Sequence, residues 1–247
     1  MPRNRLDVTL VERGLFESRA KARAAIEAGG VYVAGVLATR PSALVDDDTP
    51  MEATPAHPWV GRGGVKLDHA LTLWDIPVAG RTVLDVGAST GGFTQVCLAR
   101  GAAKVFAVDV GHGQLHAALR DDPRVVDLEG VEARSLSRIV VPDPIHLIVV
   151  DVSFISLAKV LPAPLALSGE GADVIALVKP QFEAGPAAVG KGGLVRDPAA
   201  RAAALASVAA FLDGAGWPVQ ATAPSPIQGG DGNHEFLLWA RWVTTPE

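Results

Sequence analysis

Val83-Leu-Asp-Val-Gly-Ala-Ser-Thr-Gly-Gly-Phe93 decides the fold. Its first four residues form a short apolar β-rich run broken only by Asp85, its middle is small and glycine-rich, and Phe93 opens a helical stretch. A strand that enters a helix through such a turn is where an open parallel sheet receives a ligand, because small residues let the backbone approach and the helix start leaves N–H donors free. Outward from this turn, β-rich runs over 104–108, 124–128, 146–150 and 173–178 alternate with helical stretches. That rhythm predicts a parallel sheet covered by helices on both faces. Asp197-Pro198 supplies an N-cap and a first-turn proline for a long alanine-rich helix ending near Gly214. Closing strands over 219–223 and 235–241 bring the expected sheet to seven, mostly parallel.

Asp109 ends the strand that follows the turn, 24 residues after Asp85. A carboxylate there suits a ribose with two free hydroxyls, which dinucleotides and S-adenosylmethionine share. The order Gly87, Ser89, Gly92 fits the dinucleotide fingerprint poorly, and an acid in the Asp85 position favours S-adenosylmethionine. A second glycine stretch, Gly185 to Gly192, approaches a phosphate loop but puts Gly192 where the magnesium-holding hydroxyl belongs. It reads as a flexible loop over the site.

Ahead of the sheet, helical spacing over 5–13 and 18–28, with Ser18 as an N-cap, precedes short strands turning at Ala34-Gly35. The polar, turn-rich residues 46–50 and 54–58 read as a domain edge and linker, giving a small α+β domain over 1–58 and a larger one over 59–247. Nearly half the chain (49%) is hydrophobic, which places it among folded globular proteins. The longest apolar stretch, 145–167, is interrupted by Asp151 and Lys159, so no membrane span is expected, and the N-terminus does not read as a secretory signal. The single cysteine, Cys97, fits a reducing, cytoplasmic setting and helix packing. His112 and His116, four apart, find no third ligand nearby and are read as a surface pair, so no metal is expected. A net charge of −5 requires any nucleic-acid contact to use a local patch.

Arginine outnumbers lysine sixteen to six, which singles out lysines at strand ends. Lys66, Asp151, Lys179 and Glu235 all sit where an apolar strand ends or a helix or strand begins, and strand ends converge on the cofactor cleft. Lysine, unlike arginine, can lose its proton. Lys179 is therefore the expected base for an alcohol, with Lys66 easing its deprotonation by repulsion and Asp151 orienting it.

Asp85–Phe93, Asp151-Val-Ser-Phe154, Lys179-Pro-Gln-Phe-Glu183, Gly190-Lys-Gly-Gly193 with Arg196-Asp-Pro198, and Gly232-Asn-His-Glu-Phe236 resemble the TlyA family of ribosomal RNA 2′-O-methyltransferases, sometimes labelled haemolysins. The likeness spans nearly the whole chain. That family resembles the FtsJ ribose methyltransferases, whose Lys-Asp-Lys-Glu tetrad falls on Lys66, Asp151, Lys179 and Glu235. The resemblance implies a Rossmann-like class I methyltransferase fold, S-adenosylmethionine as cofactor and cytidine 2′-O-methylation of ribosomal RNA in ribosomal subunits. It places the cofactor on Asp85, Gly87, Ser89, Thr90, Gly91, Gly92, Phe93 and Asp109, with Glu129 approaching the adenine. The N-terminal segment is similar to the S4-type RNA-binding module, implying a phosphate-facing patch of Arg5, Arg13, Arg19, Lys21 and Arg23, to which Arg62 adds. Two rival classes remain, a non-catalytic ribosome-assembly factor and a pore-forming haemolysin.

Overall fold

A computed structural model describes residues 3–243. Contacts divide the chain into two compact units, residues 1–58 and 59–247.

The first unit runs β1 (Arg3–Arg5), α1 (Leu6–Glu12), α2 (Arg19–Glu27), β2 (Val31–Val33), β3 (Val36–Leu37), β4 (Leu44–Asp46) and β5 (Met51–Ala53). The apolar stripes of both helices, Leu6 and Leu10 with Ala22, Ala25 and Ile26, close on Phe16, Val31 and Val45 as one small core. Ser18 caps α2 by accepting the Lys21 N–H. At the β2–β3 turn Ala34 and Gly35 both take positive φ (49° and 77°), the backbone that a two-residue hairpin needs. Two further short strands flank the first polar segment read as edge and linker. β4 pairs with β1 and β5 with β2, and strands of three residues are too short to leave an alternating pattern in the sequence.

The second unit opens with α3 (Gly63–Leu73) and continues β6 (Thr82–Val86), α4 (Gly92–Ala99), β7 (Lys104–Asp109), α5 (Ala117–Arg120), β8 (Val125–Glu129) and β9 (Ile145–Val150). Then come α6 (Leu157–Val160), α7 (Pro162–Leu165), β10 (Ser168–Val178), α8 (Pro180–Glu183), α9 (Pro198–Gly214), β11 (Val219–Pro224) and β12 (Phe236–Arg241). The seven-stranded sheet has the order β11-β12-β10-β9-β6-β7-β8. β12 alone runs opposite to the other six strands. Chain order reverses at β6, between β9 and β7, which leaves a crevice at the C-terminal ends of these strands.

Alternation assigns the two faces. Leu84, Val86, Ile148, Val150, Val174 and Ala176 pack one way, against Val208 and Leu212 of α9. Val83, Leu147, Val149 and Ile175 pack the other, against Leu67 and Leu71 of α3 and Val96 and Cys97 of α4. β10 begins at Ser168, five residues before the expected start, and shifts register before Asp173, because Gly169-Glu-Gly171 hides a strand. The segment around His112 and His116 is not a helix carrying both: α5 starts after His116, whose ring accepts the Ala118 N–H as its N-cap. Among the described residues no group of three ligating side chains is placed to hold a metal, and no helix is long and apolar enough to cross a membrane.

Candidate active site

The crevice is built by close backbone approach. Gly87 holds φ +86°, and a Cβ there would lie 2.4 Å from the Asp151 carbonyl oxygen, so only glycine lets the turn after β6 meet the loop after β9. Gly91, at φ +94°, caps α4, and a Cβ there would strike the Leu119 side chain at 2.3 Å. Asp109, ending β7, accepts the N–H groups of Ser89 and Gly111, each at 2.8 Å, and thereby shapes the turn. Asp85 is fully buried. Burial raises its carboxyl to about 7, against the hydrogen bonds of Thr94, and the charge of Asp151 adds to the rise. Thr94 donates its hydroxyl to Oδ2 at 2.6 Å, while Oδ1 is buried without a protein partner.

Two adjoining clefts open from this floor. One of about 440 Å³ is lined by Gly87, Asp109, Val131, Val152 and Ile155 among others, a volume within the range of small-ligand pockets. The other, about 310 Å³, is lined by Arg62, Lys66, Thr90, Phe93, Lys179 and Glu235 among others. Gly87, Ser89, Asp151 and Ser153 belong to both walls, so the clefts meet at the end of β9.

All four expected ionisable residues come together here, as two ion pairs. Lys66 from α3 meets Glu235, just ahead of β12, at 2.5 Å, and both are buried. Lys179, ending β10, meets Asp151 Oδ1 at 2.6 Å and donates to the Ser153 hydroxyl at 2.9 Å. Pairing is what allows buried charge. Lys66, expected to act on Lys179 by repulsion, instead has its charge balanced by Glu235.

Other expected site residues fall in different places. Glu129 ends β8, but its carboxylate accepts the N–H groups of Gly113, Gln114 and Leu115 and does not line the cleft, whereas Glu132 does. The Leu115 and Gln114 bonds hold it below the usual carboxylate range. In the first unit the expected patch is largely engaged internally. Arg5 and Arg19 clamp buried Asp7 at 2.9 Å each, and these pairings, led by the Arg5 hydrogen bond, lower its carboxyl to about 2. Arg13 donates to the carbonyls of Thr49 and Asp47, and Lys21 pairs with Glu17. Arg23 and Arg62 are exposed. The segment after Gly185, read as a flexible loop, contains a short 3-10 turn (Pro186–Ala188) and is tied at its far end by buried Asn233, which bonds Gly193 and Val195.

Two residues of the quoted Asp151-Val-Ser-Phe154 stretch had been given no role. Ser153 reaches Lys179, and Phe154, at φ +66° and 91% exposed, sets its ring 5.2 Å from that of Phe182. The only signal in the sequence was their position just beyond a strand-end acid.

Residues 59–242 match the FtsJ-like methyltransferase family and residues 4–49 the S4 domain. The chain is 48% identical to the 16S/23S rRNA (cytidine-2′-O)-methyltransferase TlyA of Mycobacterium tuberculosis, over 98% of this chain and 91% of that protein. A solved structure named for a hemolysin of Streptococcus thermophilus superposes with a TM-score of 0.78 at 40% identity, covering all of this chain and 90% of that one. At 12% identity and a TM-score of 0.51, the Synechocystis magnesium protoporphyrin IX methyltransferase with bound S-adenosylmethionine covers 73% of this chain and 80% of its own, a likeness of fold alone. With its methyltransferase crevice and its S4 domain both matched, the chain belongs to the FtsJ-like methyltransferases, in the TlyA family.

Proposed function

We propose that this protein transfers the methyl group of S-adenosylmethionine to the 2′-hydroxyl of a cytidine in ribosomal RNA, with Lys179 accepting the hydroxyl proton. One observation carries the reading: Lys179 is held by Asp151 and Ser153 where the two clefts meet, so one cleft can seat the methyl donor and the other the nucleotide that receives it. The choice of cytidine follows the activity named for the Mycobacterium tuberculosis relative.

The residues present suit the cofactor. Gly87 brings the backbone of the turn close, Asp109 offers a carboxylate to ribose hydroxyls, and Val131, Val152 and Ile155 give apolar walls for a base. Asp109 and Asp151 bring negative charge to a cationic ligand, and Asp85 Oδ1, without a protein partner, leaves one buried polar atom over. When bound, S-adenosylmethionine supplies an electrophilic methyl on a sulfonium. Lys179 takes the proton from the attacking oxygen, Asp151 and Ser153 hold the amine, and the Lys66–Glu235 pair fixes α3 against the start of β12. Exposed Phe154 offers an aromatic face of the kind on which unstacked bases rest. Arg62, at the rim, adds charge for phosphate.

The test incubates the protein with ribosomal subunits and radiolabelled S-adenosylmethionine, alongside Lys179→Ala. General-base loss lowers the rate by about 10²–10⁴-fold, and the label maps to a ribose 2′-oxygen of cytidine. No transfer by the wild type, or equal transfer by the variant, overturns the proposal and returns the reading to a non-catalytic RNA-binding factor.

A further inference from the structure

We infer that Ser153 is a positioning residue for Lys179, fixing the direction in which its amine faces the substrate hydroxyl. The inference rests on the reading of Lys179 as the proton acceptor.

A neutral lysine amine has two N–H bonds and one lone pair. Two acceptors meet Lys179 Nζ, Asp151 Oδ1 at 2.6 Å and Ser153 Oγ at 2.9 Å. Ser153 takes one N–H in a hydrogen bond, the Asp151 carboxylate draws a second in the ion pair, and the remaining tetrahedral direction is the lone pair. With the Asp151 ion pair alone, the lone pair can take more than one of the staggered directions about the Cε–Nζ bond. With both, it has one direction. Positioned groups of this kind supply much of catalysis by orientation.

Ser153 is itself held by its surroundings. Phe154 bends the chain immediately after it at φ +66°. Three residues further on, the Leu157 N–H donates to Glu183 at 2.8 Å, which ties this loop to α8, the helix that follows Lys179. Behind it the Asp151 carbonyl packs against Gly87. The Ser153 side chain is exposed and lines both clefts, so its hydroxyl has a place in the site and no share in the core. A hydroxyl also suits the role better than a carboxylate, because it accepts the hydrogen bond without adding a second full negative charge that would hold the proton on the amine.

The step balances. The 2′-O–H bond breaks as an N–H bond forms on Lys179, the oxygen pair forms the new O–CH₃ bond, and the S–C bonding pair stays on sulfur. The resulting ammonium has three N–H groups, for Asp151, Ser153 and the methylated oxygen.

The experiment measures kcat and KM for both substrates in Ser153→Ala, Ser153→Val and Ser153→Thr, with Lys179→Ala in parallel and the thermal midpoint of each as a check on folding. Ala and Val are expected to lower kcat about tenfold, the worth of one hydrogen bond to a charged or polar partner, with KM within about twofold of wild type. Thr, which differs from Val by the hydroxyl alone, restores kcat. The inference is overturned if Ala and Val keep full kcat, or if the loss falls on KM instead. An inactive Lys179→Ala beside a fully active Ser153→Ala removes this inference alone, whereas a fully active Lys179→Ala removes the base reading and this inference with it.

Discussion

Asp85 and Asp173 are both fully buried in the same seven-stranded sheet, and their surroundings treat them oppositely. Asp173 lies toward the edge where the parallel strands begin, and it accepts from Arg81 at 2.6 Å, from the Trp239 indole at 2.8 Å and from Arg241 at 2.8 and 3.2 Å. Burial alone would raise it, but the hydrogen bonds from Arg241, Arg81 and Trp239 more than offset that, and its carboxyl ends below the usual range. Asp85, two residues before Gly87, has Thr94 and one unpartnered oxygen, and burial raises it to about 7. One end of the sheet is completed and stores stability. The other leaves one carboxyl oxygen without a protein partner, two residues before the glycine that lines both clefts.

The sign of each contribution follows. Asp85 keeps its proton in the fold up to about 7, while the unfolded carboxyl ionises near 3.8. Between these values the folded state binds more protons, so the contribution is full below the unfolded value and is lost as pH rises, by about 1.4 kcal/mol per pH unit. Asp173, lowered in the fold, contributes stability that is present above the ordinary carboxyl value and is lost as pH falls.

The largest expected effect is at the completed end. Asp173→Ala strands Arg81 and Arg241 beside a hole and destabilises the second unit by about 3–5 kcal/mol, measured by denaturant unfolding. Methyl transfer per folded molecule should survive, and loss of turnover without loss of stability would break the contrast. Asp85→Asn should do the reverse. Subtracting its unfolding curve from wild type between pH 5 and 7 should isolate a slope amounting to about 2 kcal/mol over those two units, and the variant should lose affinity for S-adenosylmethionine. A flat difference curve would show that Asp85 is ionised in the fold. The smallest effect, about 1 kcal/mol, is expected from Thr94→Val, which removes the hydroxyl donor and moves the Asp85 transition to higher pH.

The same contrast explains how far the sequence could be read. Strands β6, β7, β9 and β12 were legible within a residue or so, because a strand buried on both faces writes a continuous apolar run. The strands at 44–46 and 51–53 were not, since each is held by pairing with a partner remote in sequence. At the site, Lys66, Asp151, Lys179 and Glu235 stood out by type and position, and the structure gathers them at one cleft. Their division into Lys66–Glu235 and Lys179–Asp151 pairs was not legible, because it depends on how α3 lies against the end of β12. Arg5 and Arg19 read as free cations for the same reason: nothing local shows that both close on Asp7.

The sequence by itself therefore determined the class of the chain: a glycine turn after an apolar strand, an alternation that makes a parallel sheet, and lysines where arginine is otherwise preferred. These are local facts, set by backbone freedom, side-chain period and the chemistry of one residue at a time. Tertiary structure decided who partners whom. It satisfied Asp173, left Asp85 Oδ1 over, gave Lys66 to Glu235, and set Ser153 against Lys179. Those outcomes depend on distances between residues far apart in the chain, 169 positions in the case of Lys66 and Glu235. Electrostatic and hydrogen-bond energies change over fractions of an ångström, and only packing sets distances that finely.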